Sequence, residues 1–247
     1  MFAMKKRTVL TLIVLAVLSG VVLAQTGVTS RNINNGFQAL LYHAVRLEET
    51  FRHIDPIGMA VEEFGKAARD PAQAGEANLM LGLIYSYLQR PGTALGYYLE
   101  FAQLQPKDAW VQALMGDLYV EMGRLDEAER SYRLALEASS EEESLARVHC
   151  GLGTVALERG EYSQAREAFE LALDGAQDFF DARLGLGKSL YYLGQYEEAI
   201  EVLELGQLQA PRSLSLLEYL GWSYEAVGRT DQAAHVFSRM EELRGVN

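Results

Sequence analysis

The sequence LGKSLYYLGQYEEAIEVL, residues 186–203, recurs in altered form 34 residues earlier, and this recurrence is the strongest indication of the fold. The earlier copy is LGTVALERGEYSQAREAF, residues 152–169. Both copies hold a Leu-Gly pair, then a second glycine after seven residues, an alanine after twelve and a large apolar residue after sixteen. Self-similarity at a fixed period of about 20–50 residues indicates an array of repeats rather than a single globular core.

Five copies of this pattern follow one another, with three spacings of 34 residues and one of 37. Their framework glycines are Gly82, Gly116, Gly153, Gly187 and Gly221. Their alanines are Ala94, Ala128, Ala165, Ala199 and Ala233, and their large residues are Tyr98, Tyr132, Phe169, Leu203 and Phe237. A degenerate copy with Phe51, Ala60, Phe64 and Ala67 comes before them. The predicted units are 41–74, 75–108, 109–142, 146–179, 180–213 and 214–247.

The pattern resembles that of the tetratricopeptide repeat (TPR) family, whose signature runs Leu-Gly-x-x-Tyr, then Ala-x-x-x-Phe, then proline. Tyr85, Tyr119 and Tyr224 fill the tyrosine place, and Ala156 and Leu190 replace it in two units. The resemblance implies an all-α fold, a right-handed α-solenoid of stacked helix–turn–helix repeats over residues 41–247. It also implies a binding scaffold in which the first helix of each pair lines a concave surface.

The glycines themselves support helix pairs. A glycine inside a helix costs roughly 0.5–1 kcal/mol relative to alanine, so five of them need a compensating gain. We expect that gain from the close approach of the second helix, with the alanine twelve residues later as the counterpart. The second glycine, as in Gly123, is predicted to end the first helix in the left-handed conformation.

The first 24 residues have the three parts of a secretory signal peptide. Lys5, Lys6 and Arg7 precede an apolar run over residues 8–18, and residues 22–24 resemble a small-residue cleavage site. We therefore expect an exported protein, in a bacterial periplasm or cell envelope, with residues 25–40 as a linker and the start of the first helix. The alternative is an uncleaved anchor, and only that alternative would hold the chain at a membrane.

Several functions are disfavoured by composition and spacing. The formal net charge is -12, whereas nucleic acid binding needs a surface rich in basic residues. Residues 182–189, ARLGLGKS, fit a relaxed phosphate-loop pattern, but they fall inside a predicted helix whose N–H groups are committed. The single cysteine, Cys150, is predicted to be a small apolar residue, with a mixed disulfide to a partner as the alternative. No catalytic constellation, metal-ligand spacing or cofactor motif is present, so we expect neither an enzyme nor a bound cofactor.

By the resemblance, five positions in each first helix line a groove for a partner. The candidate partner-binding residues are Tyr87, Trp110, Asp117, Glu121, Arg147, Glu158, Lys188, Tyr191, Tyr192, Glu218, Trp222 and Glu225. Tryptophan and tyrosine anchor binding interfaces, and acids outnumber bases in this set. We therefore expect an apolar or basic peptide segment along the strip Trp110–Tyr192–Trp222. The alternative for each aromatic residue is that it fills a gap between helices.

Two functions follow from this groove. The first is a scaffold that binds a protein or peptide and organises an envelope assembly, secretion or biogenesis complex. The second is a soluble ligand-capturing subunit of an envelope uptake system, which would need an enclosed pocket with converging polar groups. The array is expected to end with unit six, because Arg239 stands where Leu134, Leu171 and Leu205 stand in the three units before it.

Overall fold

The computed structural model describes residues 56–139 and 142–245, and every regular element in these ranges is an α-helix. The helices are α1 (Pro56–Ala67), α2 (Ala74–Tyr87), α3 (Pro91–Leu104), α4 (Ala109–Glu121), α5 (Leu125–Ala138), α6 (Glu142–Glu158), α7 (Tyr162–Gly175), α8 (Phe180–Tyr192), α9 (Tyr196–Gln209), α10 (Leu214–Ala226) and α11 (Thr230–Gly245). The all-α prediction is confirmed. The predicted signal peptide (1–24), the linker (25–40) and residues 41–55 of the first predicted unit lie outside the described residues.

The chain divides into two compact units, and the division falls within α4, after Val111. In the first unit α1 and α2 share one apolar core. Ala60, Phe64 and Ala67, which the repeat pattern assigns to the degenerate copy, are fully buried in it. None of the helices in the described ranges has the length and apolar character that spanning a bilayer requires.

The core of the second unit runs through α6 to α11, and each of these helices contributes one buried face. Neighbouring helices pack in sequence order, so each first helix contacts the second helix of its own pair. The repeated alanines Ala165, Ala199 and Ala233 are buried at these crossings. A unit of this size cannot bury its apolar face alone, which is why successive pairs stack.

The framework glycines lie against the large residue sixteen positions later. A Cβ atom placed on Gly116 would lie 2.5 Å from Cε1 of Tyr132, and one on Gly153 would lie 2.9 Å from Cδ1 of Phe169. The same pairing joins Gly82 to Tyr98, Gly187 to Leu203 and Gly221 to Phe237. The prediction that alanine is the counterpart is therefore wrong. A missing side chain leaves room for a whole ring or leucine, which removes more apolar surface from water than a methyl group does.

Two of these rings each contact glycines of two successive helix pairs. Tyr132 of α5 lies between Gly116 of its own pair and Gly151 of the next, because a Cβ on Gly151 would be 2.5 Å from Cε1 of that ring. Phe169 of α7 lies in the same way between Gly153 and Gly185. Each ring thus joins two successive helix pairs inside the second unit.

The predicted left-handed helix ends are confirmed. Gly123, Gly160, Gly194 and Gly228 follow four of the first helices with φ between 71° and 76°. In each case the next residue donates its N–H to a carbonyl five residues earlier, as Arg124 does to Tyr119 at 2.8 Å. This is the hydrogen bond of a Schellman motif, in which glycine carries no steric penalty. Gln89 takes the same place after α2, with φ of 55°.

The leucines used to predict a polar terminal face are themselves exposed. Leu134, Leu171 and Leu205 are exposed by 47%, 51% and 56%. They point away from the buried side of the second helices, because the buried positions there are the alanines and the large framework residues. Arg239 is exposed like the three leucines that it replaces, so the polar end of the last unit stays a prediction.

Candidate functional site

Six aromatic residues of the second unit lie together where α7, α8, α9 and α10 meet. We call Tyr162, Tyr191, Tyr192, Tyr196, Tyr219 and Trp222 the aromatic cluster. Tyr162 and Tyr196 are the first residues of α7 and α9, and Tyr191 and Tyr192 are the last two of α8. Helix starts and helix ends meet at this edge of the pairs, so residues distant in sequence become neighbours.

Tyr191 is the centre of the cluster. Its ring centroid lies 5.5 Å from those of Tyr192 and Tyr219 in edge-on geometry, and 5.9 Å from that of Trp222. Tyr196 lies edge-on at 5.6 Å. These separations are in the range in which aromatic pairs attract each other beyond simple burial.

Tyr192 and Tyr219 form the exposed rim of the cluster. Tyr192 is 45% exposed and stacks on Tyr162 with a centroid distance of 4.6 Å. The hydroxyl oxygens of Tyr192 and Tyr219 share a hydrogen bond of 2.8 Å, and the Tyr219 ring lies 5.1 Å from Trp222. Burial and then this hydrogen bond raise the pKa of Tyr219 far above the ordinary tyrosine value, so its hydroxyl stays protonated at neutral pH.

One cation already touches the cluster. The Lys188 ammonium lies 5.2 Å from the ring centroid of Tyr219, within cation–π range. Partial burial lowers the pKa of Lys188, while the nearby carboxylates of Glu158 and Glu218 act to raise it. Glu225 lies close enough to Tyr191 to add to the upward shift of that tyrosine's pKa, which burial causes first.

The remaining predicted residues of the second unit separate into two groups. Glu121, Glu158 and Glu225 are exposed. Asp117 and Arg147 instead bind each other: an Arg147 guanidinium N–H donates to Oδ2 of Asp117, and the Tyr132 hydroxyl donates to Oδ1 at 2.7 Å. The carboxylate of Asp117 is the first cause of a raised pKa at Arg147. This pair ties α4 to α6 and neutralises its own charge.

The two predicted residues of the first unit are placed separately. Tyr87 is the last residue of α2 and is half-buried, while Trp110 in the first turn of α4 is 39% exposed. The predicted strip Trp110–Tyr192–Trp222 begins in the first unit and ends in the second, and as a continuous groove it stays a prediction. The residues that the structure brings together are Lys188, Tyr191, Tyr192, Glu218 and Trp222.

Sequence reasoning missed Tyr162, Tyr196 and Tyr219. Tyr162 and Tyr196 stand 34 residues apart, at the start of the second helix in successive units, and this recurrence is a signal that could have found them. Tyr219 stands at the register of Gly151 and Gly185, where no groove residue is expected from the repeat pattern. Only the packing of α10 on α8 shows that it joins the cluster.

The phosphate-loop pattern is a helix, as predicted. Residues 182–189 lie within α8, and the Ser189 hydroxyl donates to the Gly185 carbonyl at 2.8 Å. The space beside Gly185 is filled by the Phe169 ring, and the space beside Gly187 is filled by the Leu203 side chain. Because the helical N–H groups are bonded within the helix, this segment cannot cradle phosphate.

Cys150 is buried, as expected of a small apolar residue. Burial, as the first cause, raises the pKa of its thiol far above the ordinary value. A thiol without thiolate character and without access is a poor candidate for the mixed disulfide. Within residues 56–139 and 142–245, no group of three or more histidine, cysteine or acidic side chains is arranged to hold a metal ion.

Two family models described as tetratricopeptide repeat match the chain, over residues 107–178 and 156–220. A tetratricopeptide repeat protein from Parabacteroides merdae aligns with a TM-score of 0.66 at 20% identity, over 85% of this chain and 78% of its own. No curated protein matches the chain by sequence.

Two further solved structures are similar. YrrB, described as a TPR protein with an unusual peptide-binding site, aligns with a TM-score of 0.60 at 20% identity, over 75% of this chain and 94% of its own. MamA from Desulfovibrio magneticus also aligns with a TM-score of 0.60 at 20% identity, over 70% and 96%. At this identity the likeness shows the fold of stacked helix pairs, and the peptide-binding site is a property of YrrB.

Proposed function

We propose that this chain, which belongs to the tetratricopeptide repeat proteins, is a scaffold that binds a protein or peptide through the aromatic cluster of its second unit. The observation that carries the proposal is that the tyrosines around Trp222 are not enclosed, since Tyr192 is 45% exposed and the others are partly exposed. A repeat array that needed these rings only for stability would enclose them, as it encloses Tyr132 and Phe169. The rim left in solvent at Tyr192 is the kind of surface that a partner covers.

The charges around the cluster favour an apolar or basic segment. With Asp117 and Arg147 neutralising each other, three carboxylates lie near the cluster, those of Glu158 and Glu218 beside Lys188 and that of Glu225 beside Tyr191. Lys188 is the one remaining cation among the predicted groove residues of the second unit. Complementary potentials speed encounter and exclude partners of the wrong sign. An acidic segment would meet this surface with repulsion.

The alternative of a captured small molecule has less support. Two cavities along the described helices have volumes of about 430 and 370 Å³, and both are open to solvent. The first is lined by residues 105–108, and the second includes Leu208, which is 81% exposed. Small-molecule sites enclose most of the ligand and converge polar groups on it, and neither opening does so.

We further propose that the protein acts after export, in an envelope assembly, secretion or biogenesis complex. The support is the charged head, apolar centre and small-residue site within residues 1–24. The exported protein should begin at Gln25, and intact-mass measurement of precursor and exported forms checks this. Retention of residues 1–24 would contradict cleavage and favour the anchored alternative.

The binding proposal predicts that the variant with Tyr192→Ala and Trp222→Ala captures its native partner at least tenfold less well, as expected for loss of interface anchors. The measurement is quantitative mass spectrometry of proteins retained from envelope extracts by the immobilised full chain. Helicity should not change, because both side chains are partly exposed.

A matched control is available in the same unit. The variant with Leu134→Ala and Leu171→Ala removes two half-exposed apolar side chains from the second helices and should leave capture intact. Trp110→Ala, measured in the same way, tests whether the more exposed of the two predicted residues of the first unit contributes to capture. If capture by the Tyr192 and Trp222 variant equals that by the leucine variant, the aromatic cluster is not the binding surface.

A further inference from the structure

Two helix faces meet at the aromatic cluster, and they differ in charge. On α8, Lys188 precedes Tyr191 and Tyr192 by three and four residues. On α10, Glu218 and Glu225 stand four residues before and three residues after Trp222. Residues at these spacings are neighbours on one helix face. The face of α10 therefore presents a carboxylate, an indole and a second carboxylate in a row.

The rings of this surface already accept a cation from the chain itself. The Lys188 ammonium rests over Tyr219, and the carboxylates of Glu158 and Glu218 both favour its charged form. Glu225, at the other end of the row, is exposed, and its side-chain carboxylate forms no hydrogen bond or ion pair with the described residues. Lys188 thus occupies a cation position over Tyr219, and among the described residues no cation lies over the Trp222 ring.

We propose that the bound segment places one lysine or arginine side chain against Trp222, between Glu218 and Glu225, with Lys188 opposing it. This inference rests on the proposed function and specifies its partner. Tryptophan is the best aromatic acceptor for a cation, and flanking carboxylates add direct attraction. The like charge of Lys188 weakens the attraction and limits the site to one cation.

The other two partner chemistries fit this surface less well. An apolar side chain on Trp222 would remove water from Glu218 and Glu225 without giving them a partner, which is unfavourable. An acidic side chain would meet three carboxylates and could pair only with Lys188. Of the two segment types that the charges allow, the basic one is therefore preferred.

The test uses the full-length protein with Trp110→Phe, in which Trp222 is the only indole and its fluorescence reports occupancy. The probes are three synthetic peptides that are identical except at one central position, which holds arginine, glutamate or norleucine. We expect the arginine peptide to bind about threefold more tightly than the norleucine peptide and about tenfold more tightly than the glutamate peptide.

Substitutions that remove single charges should change the affinity for the arginine peptide in opposite directions. Glu225→Gln and Glu218→Gln should each weaken the arginine peptide about threefold, while Lys188→Met should strengthen it by a similar factor. The norleucine peptide should bind slightly more tightly after Glu225→Gln or Glu218→Gln, because a neutral amide loses less on desolvation, and should respond little to Lys188→Met. Raised salt should reduce the differences seen with the arginine peptide. Lys188→Met removes charge but keeps an unbranched apolar stem, so a loss of packing does not imitate the expected gain.

Each contrary outcome is informative. If Lys188→Met weakens the arginine peptide and the glutamate peptide binds best, the segment is acidic and the inference is overturned. If the three peptides bind equally or none binds, the cation position does not exist. Neither result touches the capture experiment with Tyr192→Ala and Trp222→Ala, which decides the proposed function by itself.

Discussion

Replacing Tyr132 by alanine should lower the free energy of unfolding by about 3–5 kcal/mol, the range for deleting a large buried aromatic side chain. The ring is 2% exposed and lies between Gly116 and Gly151. Two glycines have no side chains that could move into the space, so the cavity would stay open. Urea unfolding of the full chain, followed by circular dichroism, measures the loss.

Tyr132→Phe is the matched control, because it keeps the ring and removes only the hydroxyl that donates to Asp117 at 2.7 Å. Loss of one such hydrogen bond should cost about 1–2 kcal/mol. The difference between the two variants isolates the packing of the ring between its glycines. Equal losses for alanine and phenylalanine would show that the ring does not join the two helix pairs.

Gly185→Ala should lower the free energy of unfolding by about 1–3 kcal/mol, the usual cost of overpacking a core. The direction is opposite to helix propensity, which favours alanine over glycine by about 0.5–1 kcal/mol. A Cβ on Gly185 would lie 2.6 Å from Cε2 of Phe169, and Gly153 lies against the same ring. The ring cannot give way, so the helix pairs would have to separate.

Substitutions at two other glycines distinguish the effect of close packing from those of helix propensity and backbone strain. Gly96 lies in α3 with open space where a Cβ would stand, so Gly96→Ala should raise the free energy of unfolding by about 0.5–1 kcal/mol. Gly194 also has open space but a φ of 76°, so Gly194→Ala should lower it by about 1–2 kcal/mol through backbone strain alone. A gain for Gly185→Ala similar to that for Gly96→Ala would contradict close packing at Phe169.

The repeat period predicted the helices well, because a residue type recurring in step must meet the same surroundings each time. The left-handed glycines Gly123, Gly160, Gly194 and Gly228 are the best example, since a turn at φ near 75° admits few other residues. The partner of the framework glycine was predicted less well. Sequence spacing placed alanine and the aromatic residue on the same helix face, and only the crossing of the helices decides which of them reaches the glycine.

The candidate site was predictable in part. Tyr191, Tyr192 and Trp222 were identified from their positions in the repeat, and the structure groups them. Asp117 and Arg147 occupy positions of the same kind, yet they pair across successive first helices. Such pairing depends on which residues the neighbouring unit holds, and one unit's pattern carries no information about it.

The alternation of rings and glycines gives the repeats of the second unit a fixed order. In the next helix pair, Gly151 lies against Tyr132 and Gly185 lies against Phe169, and at both places a side chain would clash with the ring. Tyr219 of α10 stands 34 residues after Gly185, in the place of the receiving glycine. The second helix before it, α9, carries Leu203 in place of a ring, and leucine is smaller. Each repeat therefore packs well against only one neighbour. Duplication or reordering of repeats during evolution would have to change the residues on both sides of a junction together.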